Sequence, residues 1–470
     1  MRVRASPGAP LTASTKPSAR EVSAAPSTGS APTSHDALDA PRPPPVALQP
    51  TSRPHVFATS AIDAIDAVDA TASRALLDTA TRALASNIHS FDGKSYLSAG
   101  ERQFKGLWTR DFAWSTRGLL AMGRSDVVKD QLELLLSKLR PRDHLLPRSL
   151  DSMDTKLRVA MATVHELIPL VPGELGLSGR LKPEYIDQYG QTAFDGNMLV
   201  VLAAKQYVDA TGDTGFWQQH RAQLVEVLGY YRSHVKNGLL QQPPYSDWQD
   251  SVKREGATFY TNMLYAHVLE QVAGDPAFPD AAAQARALRA RVDEAFKDPR
   301  TGLYRSMETG PQVSLDGNLL ALDLGYVKAD SPEGRALYGA LKQSPLWQAS
   351  EGPGFTTWPP YPDTQKSPMQ KLIGLGGYHD TLYWSWQVAL AAKVAGQLGD
   401  VSEARRILGR LEAVARRDGT IAEVYAPKPG LPVEKTPLYR SEMPFSWGAA
   451  FVIDAVTALS GVSEAPASPR

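Results

Sequence analysis

Four stretches of this chain repeat one arrangement: a helix, a short break at Gly-Arg or Gly-Asp, and a second helix. They cover residues 111–139, broken at Gly123-Arg124, 195–234, broken at Gly212-Asp213, 261–296, broken at Gly274-Asp275, and 381–411, broken at Gly399-Asp400. A weaker pair joins 318–325 to 335–341, and a last helix is predicted over about 446–459. Before them, residues 56–85 carry Ile62, Ile65, Val68 and Leu76 at spacings of three and four among many alanines, a helical pattern. Each amphipathic pair must bury its apolar face against neighbours. Twelve or thirteen helices are close to the number that closes six hairpins into an all-α, (α/α)6 toroid. The alternative, an open helical-repeat scaffold for a partner, accounts for the helices but not for the loops between them.

Those loops are polar and aromatic. They hold Trp108–Asp111 (WTRD), Tyr245–Arg254 (YSDWQDSVKR), Tyr378–Trp386 (YHDTLYWSW) and Ile421–Tyr425 (IAEVY). Carboxylates beside Trp, Tyr and Arg suit a carbohydrate, whose ring stacks on aromatics and whose hydroxyls take hydrogen bonds. At one end of a closed toroid such loops would converge on a deep pocket.

Composition removes several other classes. Lys plus Arg and Asp plus Glu both number 50, so no overall positive field favours nucleic acid or an anionic membrane. The 470 residues include no cysteine, which excludes disulfides, thiolate nucleophiles and Cys-ligated metals. Apolar runs stay well short of the ~20 residues of a membrane span. Residues 1–54 are rich in Pro, Ala, Ser and Thr and are expected to be a disordered tail or spacer; 463–470 are expected to be a second tail, leaving 55–462 as the catalytic domain. No apolar h-region follows Arg2 and Arg4, so a cleavable signal peptide is not expected and a soluble, cytoplasmic location is favoured.

A general acid needs a raised pKa, which burial against an aromatic ring and a second carboxylate can give. Asp247 and Asp250 flank Trp248, with Lys253 and Arg254 following, and either Asp meets that need; the bland alternative is helix capping or surface ion pairs. For a base, Glu423 follows an apolar pair and precedes an aromatic, whereas Glu434 lies in a Pro-rich loop; Glu442, beside the terminal helix, competes with Glu423. Trp108, Arg110 and Asp111 are candidate sugar contacts, although capping alone would explain Asp111. The two DGN triplets at 195–197 and 316–318 read first as caps and turns. Phe355, Trp358 and Tyr361 form a stiff aromatic loop, fit for a rim. His379 lacks a Cys partner or HxxxH spacing, so it is read as a hydrogen-bond donor to a hydroxyl. Neither a cofactor nor a metal is expected.

Taken in order, these motifs resemble the six-hairpin glycosidases: glucoamylases, the glucosidase domain of debranching enzymes, neutral invertases and trehalases. The likeness covers about residues 85–460. Trp108-Thr109-Arg110-Asp111 resembles an element lining the terminal-sugar subsite. Trp248-Gln249-Asp250-Ser251 is similar to the element whose aspartate is the general acid, which selects Asp250 over Asp247. Tyr378-His379 with Trp384-Ser385-Trp386 resembles a Tyr-His…Trp-Pro-Trp element, departing at Asp380, Thr381 and Ser385. Ile421–Tyr425, followed by a proline-containing loop and Phe445-Ser446-Trp447, resembles the segment supplying the general base, which selects Glu423 over Glu442.

The resemblance implies an inverting, exo-acting hydrolase that releases one terminal sugar, with an α-glucoside as the first expectation. Asp250 and Glu423 would be the catalytic pair. Trp108, Arg110, Asp111, Trp248, Lys253, Tyr378, His379, Trp384, Trp386 and Trp447 would hold the substrate. Two departures accompany it: the chain lacks room for an amino-terminal β-sandwich, and several loop motifs drift from every named subfamily. A lyase or phosphorylase on the same toroid and a non-catalytic glycan-binding protein are the alternatives. The sequence leaves oligomeric state open.

Overall fold

The computed structural model describes residues 70–168, 170, 176–187 and 189–460. The expected tails at 1–54 and 463–470, and the early part of the helix expected from residue 56, lie outside the described residues.

Among the described residues there are fourteen α-helices. They are α1 (Ala70–Ser86), α2 (Thr109–Ala121), α3 (Ser125–Ser137), α4 (Thr155–Leu167), α5 (Gly196–Thr211), α6 (Thr214–Gly229), α7 (Phe259–Val272), α8 (Ala281–Phe296), α9 (Leu315–Asp323), α10 (Pro332–Gln343), α11 (Pro368–Leu372), α12 (Ser385–Gln397), α13 (Val401–Asp418) and α14 (Ser446–Ser460). Six of them form a closed circuit of contacts: α2 packs on α5, α5 on α7, α7 on α9, α9 on α12, α12 on α14, and α14 back on α2. A second set lies against these, with α3, α6, α8, α10 and α13 each on the helix before it and α1 on α14.

The two sets differ in sequence for a physical reason. A helix enclosed on all sides must be apolar all round, whereas one facing water keeps a polar face. Helix α5 buries Met198 through Ala204 without interruption, and α14 buries Trp447 through Ile453. By contrast α13 turns Ile407, Leu408, Leu411 and Val414 inward and leaves Arg406, Arg416 and Arg417 exposed. Close approach within the inner set is set by small residues. A Cβ added to Gly118 of α2 would stand 2.6 Å from Ala450 Cα of α14.

The Gly-Asp breaks work as a pair of signals. Gly212 takes the left-handed conformation (φ 72°) that ends α5, and the Asp213 carboxylate accepts the Phe216 amide at 2.9 Å to begin α6. Asp400 caps α13 in the same way through Glu403 N.

Several boundaries depart from expectation. Helix α12 starts at Ser385, not Thr381, because Tyr383 and Trp384 pair with Tyr425 and Val424 as a two-residue antiparallel ladder. The helix expected through His234 ends in a 3-10 turn at Tyr230–His234. The expected Gly274-Asp275 break is longer, because Pro276 and Pro279 delay α8 to Ala281. Helix α4 has no counterpart in the expected hairpins. It turns Arg158 and Glu166 inward, onto Asp151 and Arg102, and leaves Leu157, Val164, Leu167 and Ile168 exposed. Among the described residues all strands are two to four residues long and tie loops together.

The interior of the circuit is layered. The first turns of the inner helices carry polar groups (Arg110, Asp111, Asp316). Beside them, Trp386 and Trp447 from the first turns of α12 and α14 pack on Trp114 and Phe451 from second turns, with Trp386 and Trp447 stacked at 4.5 Å. Further along, Arg117, Asp323, Lys393 and Asp454 form a buried ion cluster with contacts of 2.6–3.3 Å. Charges this deep are tolerated because each meets opposite partners. No helix among the described residues is long and apolar enough to cross a membrane.

Candidate active site

Side chains from the starts of the inner helices and from the loops before them meet at one end of the circuit. Helix N-termini favour carboxylates, and Asp111, Asp195 and Asp316 all lie there. Arg110 grips Asp195 through Nε to Oδ2 and Nη2 to Oδ1, both at 2.8 Å, and the Tyr260 hydroxyl donates to the same Asp195 at 2.9 Å. The 195–197 triplet is therefore more than a turn: its aspartate fixes Arg110, while Asn197 bonds Leu146 N and the His144 and Val227 carbonyls.

The 242–258 loop separates its two aspartates. Asp247 is buried and spent on structure, taking Arg254, Gln242 Nε2 (2.8 Å) and the Gln249 amide (2.9 Å). Asp250 keeps 38% of its side-chain surface on a cavity and meets Arg110 Nη1 at 3.4 Å. Protein surrounds it elsewhere, and that loss of water raises its carboxyl to about 6; Arg110 and Arg148 oppose the rise, while Asp187 and Asp247 add to it. This cavity is partly open, and Trp108, Arg148, Asp187 and Tyr245 also line it. Arg148 is brought there by pairing of Leu107–Trp108 with Ser149–Leu150, and its guanidinium lies 4.9 Å over the Trp108 ring.

Glu423 occupies a different setting. The Tyr383–Trp384 ladder and the Ser385 N to Glu423 O bond (3.1 Å) set it at the start of α12, and Phe445 N to Ile421 O ties the same loop to α14. It is only 2% exposed. The Tyr378 hydroxyl donates to Oε1, and Oε2 accepts the Tyr439 hydroxyl at 2.7 Å and the Glu442 amide at 3.3 Å. Burial nevertheless raises the carboxyl to about 7, against those three donors and with help from Asp111. Asp111 itself is raised to about 7, by burial first, with Arg110 opposing and Asp250 contributing. Asp250 and Glu423 thus share neighbours: the charge of each acts on Tyr378, and Asp111 is raised by Asp250 and in turn raises Glu423. Glu423 does not line the Asp250 cavity.

Glu442 is an anchor. It caps no part of α14; its carboxylate accepts the amides of Glu101 (2.9 Å), Arg102 (2.7 Å) and Phe104 (3.2 Å).

The remaining predicted residues divide. Trp108 is half-buried on the cavity. Trp248, Trp384, Trp386 and Trp447 are buried and use their rings on one another, Trp248 standing edge-on to the other three and donating to Asp316 at 2.6 Å. They form a floor beneath the site. His379 is stacked on Trp384, and its Nδ1 meets Ser251 Oγ at 2.6 Å; burial, then Arg254 and Arg110, hold it neutral. His379 Nε2, Trp386 Nε1 and Trp447 Nε1 are buried without a hydrogen-bond partner in the protein. Lys253 stands apart: its side chain is exposed, and Arg254 takes the buried place beside it. Phe355 and Trp358 stack on each other, whereas Tyr361 is buried and donates to Gln249. Tyr439, Arg148 and Asp187 were not singled out in the sequence; only Tyr439, beside the Glu442 stretch, carried any local signal. Among the described residues no three His, Asp or Glu side chains are grouped to hold a metal ion.

No family model matches the chain, and no curated protein sequence matches it. Solved structures do match. A wild-type glycosidase aligns with a TM-score of 0.58 at 16% identity, over 83% of this chain and 99% of that one. A metal-independent α-mannosidase of Streptococcus pneumoniae, in a non-productive complex with α-1,6-mannobiose, gives 0.57 at 14% identity over 86% and 99%. The mannosylglycerate hydrolase of Thermus thermophilus gives 0.52 at 14% over 81% and 99%. The chain shares the helical fold of these glycosidases.

Proposed function

We propose that the circuit is an (α/α)6 toroid and that the protein is an inverting, exo-acting glycoside hydrolase. Asp250 is the general acid and Glu423 the general base. The observation that carries this reading is the contrast between two acids with raised pKa values around shared neighbours. Asp250 opens on a cavity with only a long contact to Arg110, so it can hold and release a proton there. Glu423 is gripped by three donors, which favour its anion, and Oε1 accepts only one of them. The free lone pair of Oε1 can orient a water.

In this mechanism the Asp250 proton passes to the glycosidic oxygen as that bond breaks. Glu423 takes a proton from the water that attacks the opposite face of the sugar. Inversion requires the carboxyl groups roughly 6.5–9.5 Å apart, so that water and sugar fit between them. Arg110 and Asp111 hold hydroxyls, Trp108 offers an exposed ring, and the unpartnered His379, Trp386 and Trp447 nitrogens are polar atoms that a bound sugar can satisfy. The indole floor supports action from a chain end. The likeness to glucoamylases makes an α-glucoside the first substrate to try.

The test is an NMR-monitored panel of α- and β-linked disaccharides and glycosides. The first-formed anomer of the released sugar should be opposite to that of the substrate. Retention would remove the inverting assignment, an unsaturated product would make the protein a lyase, and a sugar phosphate would make it a phosphorylase.

A further inference from the structure

We propose that Tyr245, backed by Tyr189, is a platform for a ring in the leaving group, so the preferred substrate carries a second sugar ring beside the scissile bond. This rests on the reading of Asp250 as proton donor, because it assigns the space on the leaving-group side of that acid.

Tyr245 has φ 59°, a left-handed conformation that a bulky L-residue adopts only at a cost. The chain after it fixes this geometry: Ser246 O accepts Phe194 N at 2.7 Å, Ser246 Oγ donates to Pro243 O at 2.6 Å, and Asp247 is locked to Arg254. The result is a ring stacked on Tyr189, with centroids 4.8 Å apart and planes at 26°, lining the same cavity as Asp250 five residues on. Tyr189 is itself buttressed. Its hydroxyl meets Ser367 Oγ at 2.5 Å, and Asp187 Oδ1 accepts both Tyr189 N (2.7 Å) and Gln191 N (2.8 Å).

Neither ring belongs to the hydrophobic core, and both stay half-buried, so core packing does not account for the strain. An aromatic face toward a cavity offers the surface that the C–H face of a sugar ring covers, whereas a methyl or other small acyclic group leaves it bare. The cavity's other charged groups are mixed in sign (Arg110 and Arg148 with Asp187 and Asp250), which suits hydroxyls over an anion.

The experiment compares wild type with Tyr245→Ala, Tyr245→Gly and Tyr245→Phe. The probes are α- and β-linked glucose and mannose disaccharides and the glycosyl fluoride of the same sugar. We expect Tyr245→Ala and Tyr245→Gly to lose kcat/KM on the disaccharide at least about tenfold more than on the fluoride. Tyr245→Phe should restore the disaccharide preference. Tyr245→Gly should melt close to wild type, since relief of this φ offsets the lost contact with Tyr189 and the added freedom of the unfolded chain, which separates binding from folding. Equal losses on both substrates, or no loss on the disaccharide, overturn the platform. If wild type cleaves no glycoside, the hydrolase reading fails, and calorimetric binding of the same disaccharides decides the platform. At least about tenfold weaker binding by Tyr245→Ala supports it; equal affinity, or no binding by wild type, overturns it.

Discussion

The two acids of the site sit in opposite kinds of wall. Asp250 lies in a loop braced from behind by Asp247, Gln242 and Arg254, and its own carboxyl has almost no fixed partner. Glu423 lies on a short ladder between α12 and α14, and its carboxyl is almost fully engaged. Burial raises both, to about 6 and about 7, yet hydrogen-bond donors oppose it at Glu423 and guanidinium charge opposes it at Asp250. A similar titration can therefore arise from different surroundings. On the proposed roles it is the surroundings that would separate proton donor from base, since the pKa order, with Glu423 above Asp250, runs the other way.

The strongest way to break this contrast is to remove each carboxylate. Asp250→Asn and Glu423→Gln should each lower kcat roughly a thousandfold, with unchanged far-ultraviolet circular dichroism. A glycosyl fluoride, whose leaving group needs no proton, should restore much of the activity of Asp250→Asn and none of Glu423→Gln. Identical responses of the two variants would mean the roles are not divided as proposed.

The clamp on Glu423 sharpens the contrast at the next level. Removing a donor to a carboxylate raises its pKa. Tyr439→Phe should cost about tenfold in kcat/KM, as one charge-assisted hydrogen bond is worth roughly 1.5–3 kcal/mol at most. In the pH profile, activity needs Glu423 ionised and Asp250 protonated. Glu423 holds its proton more tightly than Asp250, so the active form is the minor one, and the profile should be a low plateau that falls below about 6 and above about 7. Tyr439→Phe should lower that plateau and move its alkaline inflection to higher pH, leaving the acid inflection in place. An unmoved alkaline inflection would remove Glu423 as its source.

Glu442 tests the other half of its loop. Glu442→Gln can keep its oxygen for the Glu101 and Arg102 amides but then sets its N–H₂ against the Phe104 amide, and it should lower stability by about 2 kcal/mol in urea denaturation. A variant as stable as wild type but inactive would return Glu442 to the catalytic candidates. Lys253→Ala, at an exposed position outside the cavity, should change kcat/KM by no more than about twofold, the scale of surface substitutions.

How far the sequence foretold these groups depended on whether local pattern or distant packing decides their place. The hairpin breaks were legible because Gly212-Asp213 and Gly399-Asp400 end one helix and cap the next with their own atoms. The choice of Asp250 and Glu423 came from motif likeness, and the surroundings of Asp247 and Glu442 now give each a structural task. The packing of the indoles was not legible: Trp248, Trp384, Trp386 and Trp447 share the composition of a sugar platform, and partners far apart in sequence turn their rings onto one another. Arg148 and Asp187 gave no local sign, since strand pairing and a loop turn bring them to the cavity. Helix α4 was missed because its apolar side faces outward and its charged side inward, so it fits no hairpin.

The packed indoles and the ion cluster beneath them have a kinetic consequence. On the proposed toroid and activity, these layers would fill the bore, so a glycan could not thread through the ring and a released sugar would have no back door. Product would leave by the mouth through which substrate enters, so it should compete with incoming substrate, and each cut on a long chain should require a fresh encounter.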